Sequence, residues 1–278
     1  MNRYEDCVRH TERRKKISQK KSLGQVFLRE DWPCEKMVES LKAVNIENVI
    51  EIGPGLGVLT RILLAQGINV LAIEKDDRFA ERLADTFKDS QAPGQLTIVN
   101  TDVLKFDLSE WVRKTPGRKA VCGNIPYNIS SPILTWLLPE MAFLKSANLM
   151  VQLEFAERVA AHANTKSYGS LSVFVQLRSR AKIAFKISRS CFHPVPKVDS
   201  AVIVLKPLNN ISSDTTLKKV EQITRKAFSQ RRKKLSNSLQ VYLKERQASE
   251  LPIDLSRRCD SLSPEDFVLL AEALFEKK

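Results

Sequence analysis

Between Asn48 and Leu205, short apolar runs alternate with segments whose apolar residues recur at helical spacing, and no other feature constrains the fold as much. The runs Asn48–Ile52, Asn69–Glu74, Leu96–Asn100, Ala120–Cys122 and Asn148–Val151 read as buried strands. Between the first two, Leu59, Ile62, Leu63 and Gln66 keep helical spacing, and the segment stops at Gly67. Strands alternating with helices predict βαβ units and a mostly parallel sheet. Two later β-rich runs, 172–187 and 198–205, are expected to pair at its far edge. A polar, turn-rich stretch at 207–216 then marks a boundary. It separates an α/β domain, 1–206, from a small all-helical domain, 207–278. In the latter, Val220, Ile223, Ala227 and Phe228, then Leu235, Leu239 and Tyr242, carry the helical period. Ser263-Pro264-Glu265-Asp266 opens a last helix with a cap, a first-turn proline and an acid at N3.

A chain of 278 residues with 43% hydrophobic content can bury a core, which excludes disorder for the bulk. The formal net charge is +13, and its distribution says more than its size. Segments 9–21, 178–206 and 225–246 together carry +19, so the rest of the chain carries −6. Such patching points to a polyanionic partner, although any single charge run is also what a solvated face looks like. The N-terminal residues have no apolar stretch after their basic side chains, so no secretory signal is expected. The longest uncharged stretch, Ala120–Pro139, is broken by Asn124, Pro126, Asn128, Ser130, Ser131 and Pro132, and is no membrane span. Five scattered cysteines without a C-x-x-C suggest neither disulfides nor zinc and fit a reducing, cytoplasmic compartment.

The glycine turn EIGPGLG (51–57) follows the first strand and opens the first helix. Gly53, Gly55 and Gly57 let a backbone turn tightly and approach a ligand. Val58 stands where a dinucleotide fingerprint wants Gly or Ala, which disfavours a pyrophosphate cradle. Glu74 ends the second strand, placed to accept both hydroxyls of a ribose, and Asp102 follows the third, placed to accept from an adenine amine. Each could equally cap a helix or turn. Together, beside a glycine turn, they favour an adenosine-like ligand. With Glu51 they form an acidic crevice suited to a cation, and S-adenosylmethionine is an adenosine bearing a sulfonium and no pyrophosphate.

After the fourth strand comes Gly123-Asn124-Ile125-Pro126-Tyr127. The exocyclic amine of adenine is a poor nucleophile because its lone pair is delocalised. The Asn124 amide oxygen and a main-chain carbonyl such as that of Pro126 could accept its two N–H groups and turn the lone pair outward. Tyr127 could stack on the base. In-line positioning then matters more than a strong base. The alternative is an ordinary turn, since Asn and Pro are turn formers.

Across nearly the whole chain the sequence resembles the ribosomal RNA adenine dimethyltransferases, which modify two adjacent adenines near the 3′ end of small-subunit rRNA. The resemblance rests on KSLGQVFL (21–28), EIGPGLG (51–57), IEKD (73–76), NTDVLKFD (100–107), GNIPYNISSPIL (123–134), MVQLEFAERV (150–159), FHPVPKVDSAVI (192–203) and FSQRRKKL (228–235). It implies a Rossmann-like S-adenosylmethionine-dependent methyltransferase domain followed by a small all-helical C-terminal domain. It implies cofactor contacts from Gln25, Val26, Leu28, Glu51, Gly53, Gly55, Gly57, Glu74 with Lys75, Asp102 with Val103, and Asn124. Asn124, Pro126 and Tyr127 would be catalytic, Phe192 and Phe228 would position the base or simply pack, and Arg231, Arg232, Lys233 and Lys234 would bind RNA. The implied partner is small-subunit rRNA in a pre-assembled subunit, with a monomeric enzyme and no metal or membrane. Val26 departs from the family's usual Asn, which removes a side-chain contact but not a main-chain one; Leu153 replaces a usual charge.

Three other readings compete. The related large-subunit rRNA adenine methyltransferases that confer macrolide resistance share the cofactor motifs. A non-catalytic assembly factor could keep the fold, but Glu74, Asp102, Asn124 and Tyr127 are all retained. A DNA adenine methyltransferase would want proline at Ile125.

Overall fold

The computed structural model describes residues 26–88, 94–209, 213–243 and 251–275. Its centre is a seven-stranded sheet in the order β4-β3-β2-β5-β6-β9-β7, beside a two-stranded pair β1-β8. The strands are β1 Phe27–Leu28, β2 Asn48–Ile52, β3 Asn69–Glu74, β4 Leu96–Asn100, β5 Lys119–Asn124, β6 Ser146–Gln152, β7 Ser179–Ile187, β8 Phe192–His193 and β9 Ser200–Pro207. The five from β2 to β6 run parallel, and β9 and β7 add antiparallel at the far edge. The chain winds outward from β2 to β4 and returns to β5 on the other side of β2. That reversal is the switch point at which open α/β sheets bind ligands.

The helices are α1 Trp32–Lys42, α2 Val58–Ala65, α3 Asp77–Phe87, α4 Leu108–Lys114, α5 Ser130–Leu137, α6 Leu153–Val159, α7 Ser170–Gln176, α8 Asp214–Ser229, α9 Leu235–Ser238 and α10 Pro264–Phe275. Alternate residues of the central strands enter two cores. Val49, Ala120, Cys122 and Met150 pack on the side of α1 and α2, and Ile50, Ile52, Val121 and Leu149 on the side of α4 and α5. Coverage on both faces explains why these strands read as nearly continuous apolar runs. Each fully buried Ile, Leu or Val adds about 1.5–3 kcal/mol.

The stretch 172–187 is not all strand. Residues Ser170–Gln176 form α7, and only Ser179–Ile187 joins the sheet, pairing with β9. Gly169 caps this helix through Ser172 Oγ, which in turn donates to the Arg158 carbonyl at 2.5 Å. Val173 and Val175 then reach two different cores, so packing overrides their β preference. A bulge in β7 between Ile183 and Phe185 turns Phe185 and Ile187 onto the α1 side, where the Phe185 ring lies 5.6 Å from that of Trp32.

The C-terminal helices build a third core around Val220, Ile223, Leu235, Phe267 and Leu270, which also takes in Ala161, Tyr168, Val173 and Leu177 from before residue 207. Its last helix begins with a reciprocal cap: Asp266 N–H donates to Ser263 Oγ at 3.1 Å and Ser263 N–H to Asp266 Oδ2 at 3.0 Å.

Candidate active site

A cavity of about 210 Å³ opens at the C-terminal ends of β2, β3 and β5, closed on one side by β1. Three glycine-turn residues have positive φ, at 64° for Gly53, 54° for Gly55 and 78° for Gly57, which explains the residue type. Their directions differ. Gly53 and Gly55 line the cavity, whereas Gly57 points at α3, where a Cβ would meet Leu83 Cδ1 at 2.8 Å and Phe87 Cε2 at 2.9 Å. Gly57 thus serves the packing of the turn. Gly123 has another cause: a Cβ there would strike the Ile52 carbonyl oxygen, so β5 can lie this close to β2 only without a side chain.

The carboxylates are fixed before any ligand arrives. Glu51, 1% exposed, accepts from Thr60 Oγ1 at 2.6 Å, and burial pushes its carboxyl up to about 8. Glu74 accepts from Gly55 N–H at 3.1 Å and from Asp76 N–H at 2.9 Å, one on each oxygen. Burial raises its titration and these backbone bonds oppose the rise. A carboxylate has roughly four acceptor sites, so these bonds do not exhaust its capacity for ribose hydroxyls. Asp102 does two things at once. Its Oδ1 caps the turn Val103–Lys105 through Leu104 N–H at 3.0 Å, while Oδ2 pairs with Lys75 Nζ at 2.8 Å, which holds its carboxyl below the usual range. Lys75 is half-exposed, so replacing it with a ligand amine sacrifices little.

Asn124 ends β5 in the cavity wall. Its Nδ2 donates to the Val26 carbonyl at 3.1 Å, and its Oδ1 is buried without a partner. An orphaned buried acceptor costs about 1–3 kcal/mol, so its presence demands an account. Asn148 also has an unpaired Oδ1, but it lies under α1, donating to Ser40 Oγ, and is no part of the cavity wall. The Pro126 carbonyl takes Ile129 N–H at 3.0 Å and keeps a second lone pair.

Other residues singled out by sequence are placed elsewhere. Tyr127 does not line the cavity; its hydroxyl lies 2.8 Å from Ser200 Oγ. Phe192 is wholly buried in β8, and Phe228 packs its ring 5.8 Å from Tyr168 and 5.9 Å from Phe267. Arg231 reaches the Lys166 and Thr165 carbonyls at 2.6 and 2.9 Å, so it ties α8's end to the 165–166 loop. Arg232, Lys233 and Lys234 are exposed. Val26, Leu28, Lys75 and Val103 all line the cavity, and Gln25 lies outside the described residues, as does the basic stretch 9–21. Sequence reasoning missed Phe27, Cys34, Leu56, Thr101, Asn128 and Met150 in the wall. Of these only Cys34 lies outside the quoted motifs; the others belong to them, but spacing does not show which motif residues face the cavity, and the Phe27 ring sits 3.2 Å from where a Gly55 Cβ would lie. Among the described residues no group of three or more His, Cys, Asp and Glu could hold a metal.

What fold and cavity define is a class, the Rossmann-like methyltransferases. Relatives narrow it. A family model described as "Ribosomal RNA adenine dimethylase" matches residues 16–276. The chain is 41% identical over 261 residues to the ribosomal RNA small subunit methyltransferase A of Francisella tularensis subsp. novicida, a match spanning 93% of this chain and 98% of the relative. Among solved structures, a dimethyladenosine transferase from Plasmodium falciparum superposes with a TM-score of 0.70 at 25% identity, over 88% of this chain and 95% of that one. The 23S rRNA methyltransferase ErmE gives 0.66 at 26%, over 90% and 100%. This chain belongs to the ribosomal RNA adenine dimethylase family.

Proposed function

We propose that this enzyme uses S-adenosylmethionine to dimethylate the exocyclic N6 amines of two adjacent adenosines near the 3′ end of small-subunit rRNA, acting as a cytoplasmic monomer on a pre-assembled subunit. Beyond family membership, the observation that carries the reading is the unpaired, buried Oδ1 of Asn124 in the wall of an acid-rimmed cavity.

The residues present fit the cofactor. Glu74, already oriented by two backbone N–H groups, would hold the ribose and Asp102 the adenine amine, while Gly53 and the segment Val26–Leu28 would border the methionine end. A buried Glu51 favours a cation, since ionising its carboxyl beside a positive charge relieves the burial penalty. When bound, S-adenosylmethionine supplies an electrophilic methyl group on a sulfonium.

The chain's own part is to prepare the amine. Asn124 Oδ1 and the Pro126 carbonyl would each accept one of its N–H groups, holding the nitrogen lone pair out of ring conjugation and toward the cofactor side. No side chain need remove a proton first, because the methylated nitrogen is acidic enough to lose one to water. Tyr127 would border the base, and the exposed Arg232, Lys233 and Lys234 would meet phosphates.

One structural observation keeps a second reading in view: the superposition on ErmE is nearly as good as that on the dimethyladenosine transferase. Target choice lies in surfaces outside the cavity. Incubating the protein and S-adenosylmethionine with unmethylated small or large subunits tests both, with small-subunit methylation expected.

A further inference from the structure

Resting on the proposed role of Asn124, we propose that the main-chain carbonyl of Val26 is a positioning group for the reaction, holding the Asn124 amide in the one orientation that leaves Oδ1 free for the target amine. A primary amide can turn over and exchange its oxygen and nitrogen, and only one of the two arrangements can accept an N–H. The Val26 oxygen decides between them. It accepts from Nδ2 at 3.1 Å, whereas the turned amide would set two oxygens against each other and offer the target amine a second donor.

The carbonyl is itself anchored. β1 pairs with β8 through Phe27 opposite His193 and Leu28 opposite Phe192, and Arg29 N–H donates to the Cys191 carbonyl at 2.8 Å. Phe192 is fully buried, and the Phe27 ring lies 5.4 Å from that of Phe79. β1 is thus a strap running from the glycine turn to the FHPVP segment, with the reactive amide fastened to its edge. Phe192 then contributes by anchoring the strap from within the core. The arrangement also explains Val26 itself: the contact is made by main chain, so losing the family's usual Asn side chain leaves it in place.

The test is Asn124→Asp. An ionised carboxylate has no proton to give the Val26 oxygen, whereas the protonated acid can donate from one oxygen and accept with the other. Glu51, Glu74, Lys75, Asp102 and Cys34 share the cavity, and Tyr127 stands behind with Asp199, so rates are taken as a ratio to the native enzyme at each pH. At pH 8 the variant should be about 100-fold or more slower. The ratio should climb about tenfold per pH unit on acidification, until the new carboxyl is protonated. A flat ratio, or native speed at pH 8, overturns the proposal.

A measurement without turnover stands beside these. In protein labelled with ¹⁵N-asparagine, a side-chain Nδ2 proton of Asn124 should exchange with solvent far more slowly than those of exposed asparagines. Unprotected exchange of both protons overturns the proposal. Should the native enzyme methylate neither subunit, the proposed function falls while this exchange still decides the amide's orientation.

Discussion

At the ends of β2, β3 and β5, Glu51, Glu74 and Asn124 are buried or nearly so and each is held by a specific partner, whereas in the turn after α8 Arg232, Lys233 and Lys234 stand in solvent. The strand ends fix a few polar groups in low dielectric, where a missing partner is expensive and geometry is exact to a fraction of an ångström. The basic turn presents charge at a distance, where position matters less and salt matters more. Arg231 shows the boundary between the two: next in line to the exposed cations, it is spent on two carbonyls of the 165–166 loop. Substitutions at the rim should therefore alter chemistry or cofactor affinity, and substitutions in the turn should alter RNA affinity and its salt dependence.

The largest effect is expected at Asn124. Asn124→Ala should lower kcat by about 10²–10³-fold while S-adenosylmethionine affinity and subunit binding stay within about twofold. Unchanged kcat would remove the reaction centre from this residue. Next comes Glu74→Ala, which strips an acceptor from the ligand and leaves Gly55 and Asp76 N–H unpaired; calorimetry should show the cofactor bound about 10–100-fold more weakly. The combined change of Arg232, Lys233 and Lys234 to alanine should leave cofactor affinity untouched. It should weaken subunit binding and flatten the plot of log affinity against log salt by about 2–3 in slope. If cofactor affinity fell instead, the division between rim and turn would fail.

Two smaller effects sharpen the rim. Gly57→Ala, which forces a positive φ and a clash with Leu83 and Phe87, should lower stability by about 1–3 kcal/mol with cofactor affinity unchanged in the folded fraction. Glu51 titrates higher folded than unfolded, so it binds its proton more tightly in the native state. Its contribution is full below the unfolded value and is lost as pH rises toward about 8. Glu51→Gln should flatten that fall in the cofactor-free protein. In the native chain, affinity for the cationic cofactor should rise over the same window as the carboxyl ionises. Melting curves and titrations across pH check both.

Much of this was legible because burial on two faces leaves a strong mark. The strands at 48–52, 69–74 and 96–100 stand where the apolar runs predicted them, and Glu74, Asp102 and Asn124 announced themselves as polar residues ending such runs. β1 and β8 left none: each has two residues, and they meet across a long loop of sequence, so no local pattern encodes the pair. Ser170–Gln176 misled because its β-branched residues serve packing between cores. The apolar wall of Cys34 and Met37 was invisible for a similar reason, since core and cavity use the same residue types. Gly57 and Tyr127 belong to the right motifs but do not line the cavity, Gly57 facing α3 and the Tyr127 hydroxyl meeting Ser200, a placement no spacing reveals.

The most direct test is mass spectrometry of rRNA after incubating the protein and S-adenosylmethionine with unmethylated small subunits and, separately, unmethylated large subunits. The account predicts two adjacent adenosines near the 3′ end of the small-subunit rRNA, each carrying two methyl groups, and none added by Asn124→Ala. Methyl groups on the large-subunit rRNA alone, or none on either, would contradict it.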